Sequence, residues 1–159
     1  MLTAVKLYPC ELLCVHRDAE AEDISFRRAE IQSAFDLARG KMTNPPRAVC
    51  VIPVRMMEAW LLFDESLIRQ AAGNPNGNMD LDLPRLQNIE QLADPKRRLH
   101  EVLRTASGLA GRRLKSLNVT SAVHRIAQLS LGFERLRDLP AFRQLEEDMR
   151  SVLAETIVR

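Results

Sequence analysis

Residues 12–52 read LLCVHRDAEAEDISFRRAEIQSAFDLARGKMTNPPRAVCVI, and this stretch decides the fold. Leu12-Leu13-Cys14-Val15 is a continuous apolar run that stops at His16-Arg17-Asp18. Ala48-Val49-Cys50-Val51-Ile52 is a second, and it stops at Pro53. Apolar runs without alternation suit strands covered on both faces. Between them, Phe26, Ala29, Ile31, Ala34, Phe35 and Ala38 form a broad apolar stripe that predicts a helix from about Ile24 to Arg39. Asp23 is its N-cap and Gly40 its stop. Strand, helix, strand in this order is a βαβ unit, with parallel strands and a right-handed crossover. Thr3 to Tyr8 is a candidate for one further strand.

Beyond Pro53 the pattern turns helical. Helices are expected over Met56 to Leu62, Glu65 to Ala72, Pro84 to Leu92, Asp94 to Ala106, Val119 to Leu129 and Pro140 to Ile157. Asp94-Pro95 is a helix start, with Asp as cap and Pro in the first turn. Gly73-Asn74-Pro75-Asn76-Gly77-Asn78 is a loop. The fold class that follows is α/β, a small, largely parallel sheet with an α-helical C-terminal elaboration. It is expected as a single domain, an α/β core over about 10–72 and helices over about 80–159.

Composition narrows the function classes. Lys plus Arg number 23 against 21 Asp plus Glu, a formal charge of +2 over 159 residues. Bulk charge therefore does not mark a nucleic-acid binder, and such a site would have to be a local patch. Aromatic residues are 4% of the chain, too few for single-strand stacking platforms. The odd cysteine count (Cys10, Cys14, Cys50) fits a reducing cytoplasm better than a disulfide framework. Cys10 and Cys14 read as small apolar fillers on one side of a strand. No uninterrupted apolar run is long enough for a membrane span.

The richest stretch chemically is His16-Arg17-Asp18-Ala19-Glu20-Ala21-Glu22-Asp23. It lies just past the carboxyl end of a strand, where open α/β sheets place their ligands. On extended backbone, Asp18, Glu20 and Glu22 would fall on one side. Converging carboxylates repel one another, so Mg²⁺ or Mn²⁺, which prefer hard oxygen ligands, are the natural partners. A solvated acidic loop whose last member caps a helix explains the same residues.

An apolar strand, Asp-x-Glu, a helix and a second apolar strand resemble the TOPRIM fold, whose metal site uses an acidic pair after a strand. Pro53-Val54-Arg55-Met56-Met57-Glu58-Ala59-Trp60-Leu61-Leu62-Phe63-Asp64 resembles the signature of a TOPRIM-like family of uncharacterised bacterial proteins. Asp94-Pro95-Lys96 resembles a second element of that family, and Phe133 to Phe142 its closing segment. The resemblance implies TOPRIM-like topology and a Mg²⁺-dependent phosphodiesterase or nuclease of a phage-defence type of system. Asp18, Glu20 and Glu22 would be the metal ligands, with Glu58 and Lys96 as catalytic candidates. It also implies, as an alternative, a non-catalytic subunit that docks to an ABC-type ATPase. One departure stands out. TOPRIM domains open on a strand ending in Glu, and residues 1–9 contain no acidic residue. The expectation is a start that lacks that strand, or a degenerate TOPRIM.

Each remaining candidate has a plainer explanation beside it. Glu58 also suits the positive first turn of its own helix. Asp64 is expected to cap the helix after it, and Trp60 to lie in the core. Lys96 sits where a helix N-terminus offers N–H groups to phosphate, or is simply solvated. Arg112, Arg113 and Lys115 form the best basic cluster, placed on a loop framed by Gly108 and Gly111, and could neutralise nucleic-acid phosphates. The stripe Phe142, Leu145, Met149, Val152, Leu153 and Ile157 is expected to leave apolar surface for a homo-oligomer or a hetero-complex.

Overall fold

A computed structural model gives the fold of residues 1–20 and 22–157, the side chains of 155–157 excepted. It is mixed α/β, mostly helical, with a two-stranded parallel sheet. The chain divides into two compact units, residues 1–54 with 140–159, and residues 55–139. The division falls at Val54/Arg55 and Leu139/Pro140, so the last helix joins the sheet, not the helices that precede it in sequence.

In the first unit, β1 (Leu12–His16) pairs in parallel with β2 (Arg47–Val51), Leu12 beside Arg47 and His16 beside Val51. The connecting α2 (Ile24–Arg39) starts where Asp23 accepts a hydrogen bond from the Ser25 N–H at 2.7 Å. Its buried face is Arg27, Ile31, Phe35 and Ala38, one side chain every three or four residues. Phe26, Ala29 and Ala34, expected in the apolar stripe, are exposed. A stripe spread over six positions is wider than the face one small sheet can cover, and the helix presents the narrower series. Ile31 packs in a cluster with Ala19, Cys50 and Ile52, joined by the half-buried Val15 and Ile24.

Two further expectations are corrected in this unit. Thr3 to Tyr8 does not form a strand: α1 (Leu2–Leu7) is a helix with no buried residue. β1 is not covered on both faces, because Cys14 and His16 are exposed and only β2 carries fully buried positions. Cys10 and Cys14 are accordingly exposed and fill no core. Buried Cys50 has its thiol pushed above the usual range by that burial. α7 (Pro140–Ile157) packs on β2 and is tied to it by the Arg47 guanidinium, which donates to the Val152 carbonyl. Arg28 on α2 pairs with Asp148 on α7 at 2.7 Å. Of the expected stripe on α7, Phe142, Leu145, Met149 and Val152 are half-buried and Leu153 is exposed; the side chain of Ile157 lies outside the described residues.

The second unit is helical. Its core is the face Leu99, Val102, Leu103 and Ala106 of α4 (Pro95–Ala106), packed with α3 (Glu65–Ala71) and α6 (Val119–Leu129). Asp64 caps α3 through the Leu67 N–H at 3.1 Å, and Asp94 caps α4 through the Arg97 N–H at 2.8 Å. The segments expected as helices over Met56 to Leu62 and Pro84 to Leu92 are short 3-10 helices, Met57–Leu61 and Leu86–Gln91. Trp60 is buried and its indole N–H points at Glu90 Oε1, 3.4 Å away. Between α4 and α6 the segment Gly111–Lys115 is a helix (α5), not the expected loop. Among the described residues no helix is long and apolar enough to cross a membrane.

Candidate functional site

The loop after β1 is pinned at the carboxyl ends of both strands. The Arg17 N–H donates to the Val51 carbonyl at 3.1 Å and the Ala19 N–H to the Pro53 carbonyl at 2.9 Å. Ala19 is fully buried, and its own carbonyl accepts from the Glu22 N–H at 2.9 Å. A buried alanine amid charged neighbours is thus the anchor, and the acidic side chains are arranged around it.

Strand β1 ends at His16. Glu20 has φ of 60°, in the left-handed region, so the period of two that would gather Asp18, Glu20 and Glu22 does not run through the loop. Asp18 Oδ1 instead lies 3.1 Å from His16 Nε2, whose N–H donates to it. Glu20 leans toward Arg27, with the guanidinium 3.8 Å from its carboxylate. Glu22 is exposed. Asp23 is held below the usual carboxylate range by the Ser25 hydroxyl and N–H.

Beneath the loop stands Arg27, 9% exposed although it is a cation on the core face of α2. It donates to Glu30 at 2.8 Å, and this hydrogen bond holds its pKa above the ordinary value against the pull of desolvation. Glu30 is held below its ordinary value by that same bond, and Arg17 adds a second cation at 3.3 Å. Arg27 and Glu30 were the residues that motif reading missed. The signal was there: position 27 falls in the series Ile24, Arg27, Ile31, Phe35, Ala38, where an arginine just after an acidic run needs a carboxylate.

These residues do not fit a resident Mg²⁺ or Mn²⁺. A hard divalent cation needs oxygen donors facing one point, whereas Asp18 is turned to an imidazole and Glu20 to a guanidinium. Among the described residues, no group of three or more His, Cys, Asp or Glu is placed to hold a metal ion.

The other candidates lie in the second unit. Glu58 is half-buried in the first turn of the 3-10 helix Met57–Leu61. Lys96 is exposed in the first turn of α4, where Asp94 already occupies the Arg97 N–H. Arg112, Arg113 and Lys115 are exposed on α5, and among the described residues none of them has an ion-pair partner. Arg97 and Arg98, upstream of them, are engaged with Glu101 and Asp82. Compared with protein-family models, with curated proteins and with solved structures, the chain matches none.

Proposed function

We propose that this chain is a non-catalytic, TOPRIM-like subunit that docks to an ABC-type ATPase partner and does not itself cleave phosphodiesters. The observation that supports this reading is the pairing within the loop after β1. Asp18 has His16, Glu20 has Arg27, Asp23 has Ser25, and Glu30 has both Arg27 and Arg17. Carboxylates that have cations or N–H groups of their own are held for structure, and a metal would have to strip those partners away. The docking half of the proposal rests on the sequence resemblance alone.

The test is direct. The purified chain is incubated with single- and double-stranded DNA and with RNA in Mg²⁺ and in Mn²⁺, beside the Asp18→Asn and Glu20→Gln variants. No cleavage above background in any sample is expected. Metal-dependent cleavage that disappears in both variants would overturn the reading and restore the nuclease, with Asp18, Glu20 and Glu22 as ligands, Glu58 and Lys96 as catalytic candidates, and Arg112, Arg113 and Lys115 as candidate nucleic-acid contacts. For docking, co-purification with a co-expressed ABC-type ATPase is expected, and failure of the two to associate counts against it.

That second reading, a Mg²⁺-dependent nuclease, has one favourable observation. The loop stands at the carboxyl ends of two parallel strands, pinned there by the Ala19 N–H on Pro53.

A further inference from the structure

We infer that the free edge of β1 is a self-association surface, on which a second copy of this chain pairs antiparallel about Cys14. The inference stands apart from the docking reading. In a parallel ladder, alternate residues of a strand spend both main-chain groups on the neighbour. The Arg47 N–H donates to the Glu11 carbonyl and the Arg17 N–H to the Val51 carbonyl, which assigns Glu11, Leu13, Val15 and Arg17 to the β2 side. Leu12, Cys14 and His16 therefore turn their N–H and C=O groups outward. Among the described residues no third strand meets them, and no hydrogen bond outside the sheet takes up the main-chain groups of Leu12, Cys14 or His16. Cys14 and His16 are exposed. A bare edge is a template for another strand.

The strand's own sequence says which strand fits. Reversed on itself about Cys14, Glu11-Leu12-Leu13-Cys14-Val15-His16-Arg17 sets Glu11 against Arg17 of the second copy, and Arg17 against its Glu11. Leu13 then faces Val15, and Cys14 faces Cys14. This register is also the one in which all three outward residues of each strand meet an outward residue, as Leu12 with His16 and Cys14 with itself. Shifting it by two residues either way loses an outward pair and sets both charges against apolar side chains. Opposite charges across a strand pair are favourable and like charges are not, so the strand is charge-complementary to its own reverse, with the exposed Arg17 guanidinium shared between Glu11 of the second copy and Glu30 of its own, 3.3 Å away. A twofold axis through Cys14 generates this pairing, and twofold dimers are the commonest assemblies.

Two measurements test it. The first is chemical cross-linking of the natural chain with a short thiol-to-thiol reagent, followed by peptide mapping. Hydrogen-bonded antiparallel pairs set their Cα atoms about 5.5 Å apart, so a Cys14–Cys14 link between copies is expected to form readily. The second is sedimentation velocity on the natural chain and on Glu11→Arg, Arg17→Glu and the double variant, with circular dichroism as a check on folding. Each single reversal makes two like-charge pairs by symmetry and is expected to weaken the dimer about tenfold. The double variant exchanges the signs and is expected to restore it. A monomer up to near-millimolar concentration overturns the inference. So does a dimer whose cross-links avoid Cys14, or one that the single reversals leave intact.

Discussion

Replacing Phe35 by Ala and, separately, Phe26 by Ala isolates the two kinds of position that helical spacing on α2 does not distinguish. A phenylalanine brings roughly 200 Å² of surface, and burial stabilises by about 25 cal/mol per Å². Phe35 is 5% exposed, so nearly all of that surface is out of water. Area alone gives an upper figure of about 5 kcal/mol, and the cavity left behind keeps the loss at about 3–5 kcal/mol. Phe26 is 53% exposed. About half the area gives at most ~2.5 kcal/mol, reduced to about 1–2 kcal/mol because no closed cavity forms and the unfolded chain keeps some contact. The Arg27 guanidinium lies 5.8 Å from the Phe26 ring centroid, a weak cation–π contact. The expected gap between the variants is about 2 kcal/mol, which at a slope of about 1–3 kcal/mol per molar urea separates their midpoints by roughly 1 M. Urea unfolding should be followed by far-ultraviolet circular dichroism, because Trp60 reports on the second unit and Phe35 belongs to the first. Equal losses, or a larger loss for Phe26→Ala, would refute the assignment of the core face of α2.

Glu90, pushed above its ordinary value of 4.5 chiefly by burial, makes folding pH-dependent in a defined sense. Its contribution is fullest below 4.5, where it is neutral in both states, and is lost as pH rises through the higher folded value. Glu90→Gln, which still accepts the Trp60 N–H, should therefore raise the thermal midpoint at neutral pH and leave it unchanged in acid; a gain of the same size at both would sink the argument. Gly108 has φ of +63°, and a Cβ there would come 2.9 Å from Asn74 Nδ2, the atom that donates to the Ala106 carbonyl. Gly108→Ala should cost about 1–3 kcal/mol, and a denaturation midpoint equal to that of the natural chain would show that the loop yields without strain.

Sequence alone determined the βαβ unit and most helix boundaries. Apolar runs at Leu12–Val15 and Ala48–Ile52, with a capped amphipathic helix between, leave parallel pairing as the arrangement available, and β1 and β2 take it. Asp23, Asp64 and Asp94 were legible as caps because a cap is a local event, one carboxylate and an N–H two or three residues on. α6 and α7 begin and end where the periodicity does.

What needed the tertiary structure was every question of which face is covered and which charge meets which. The apolar run of β1 looks like that of β2, yet β2 carries two fully buried positions and β1 none, because a strand's exposure depends on which elements pack against it. The segment before β1 is a short helix with no buried residue, because its burial is decided by what packs on it and not by its own pattern. The acidic loop shows the same limit at finer scale. Its residue types announce a site, but whether carboxylates converge depends on φ at Glu20 and on the position of Arg27, one helical turn inside α2. Electrostatic partners separated along the chain are chosen by folding, and a linear pattern records only that the charges are present.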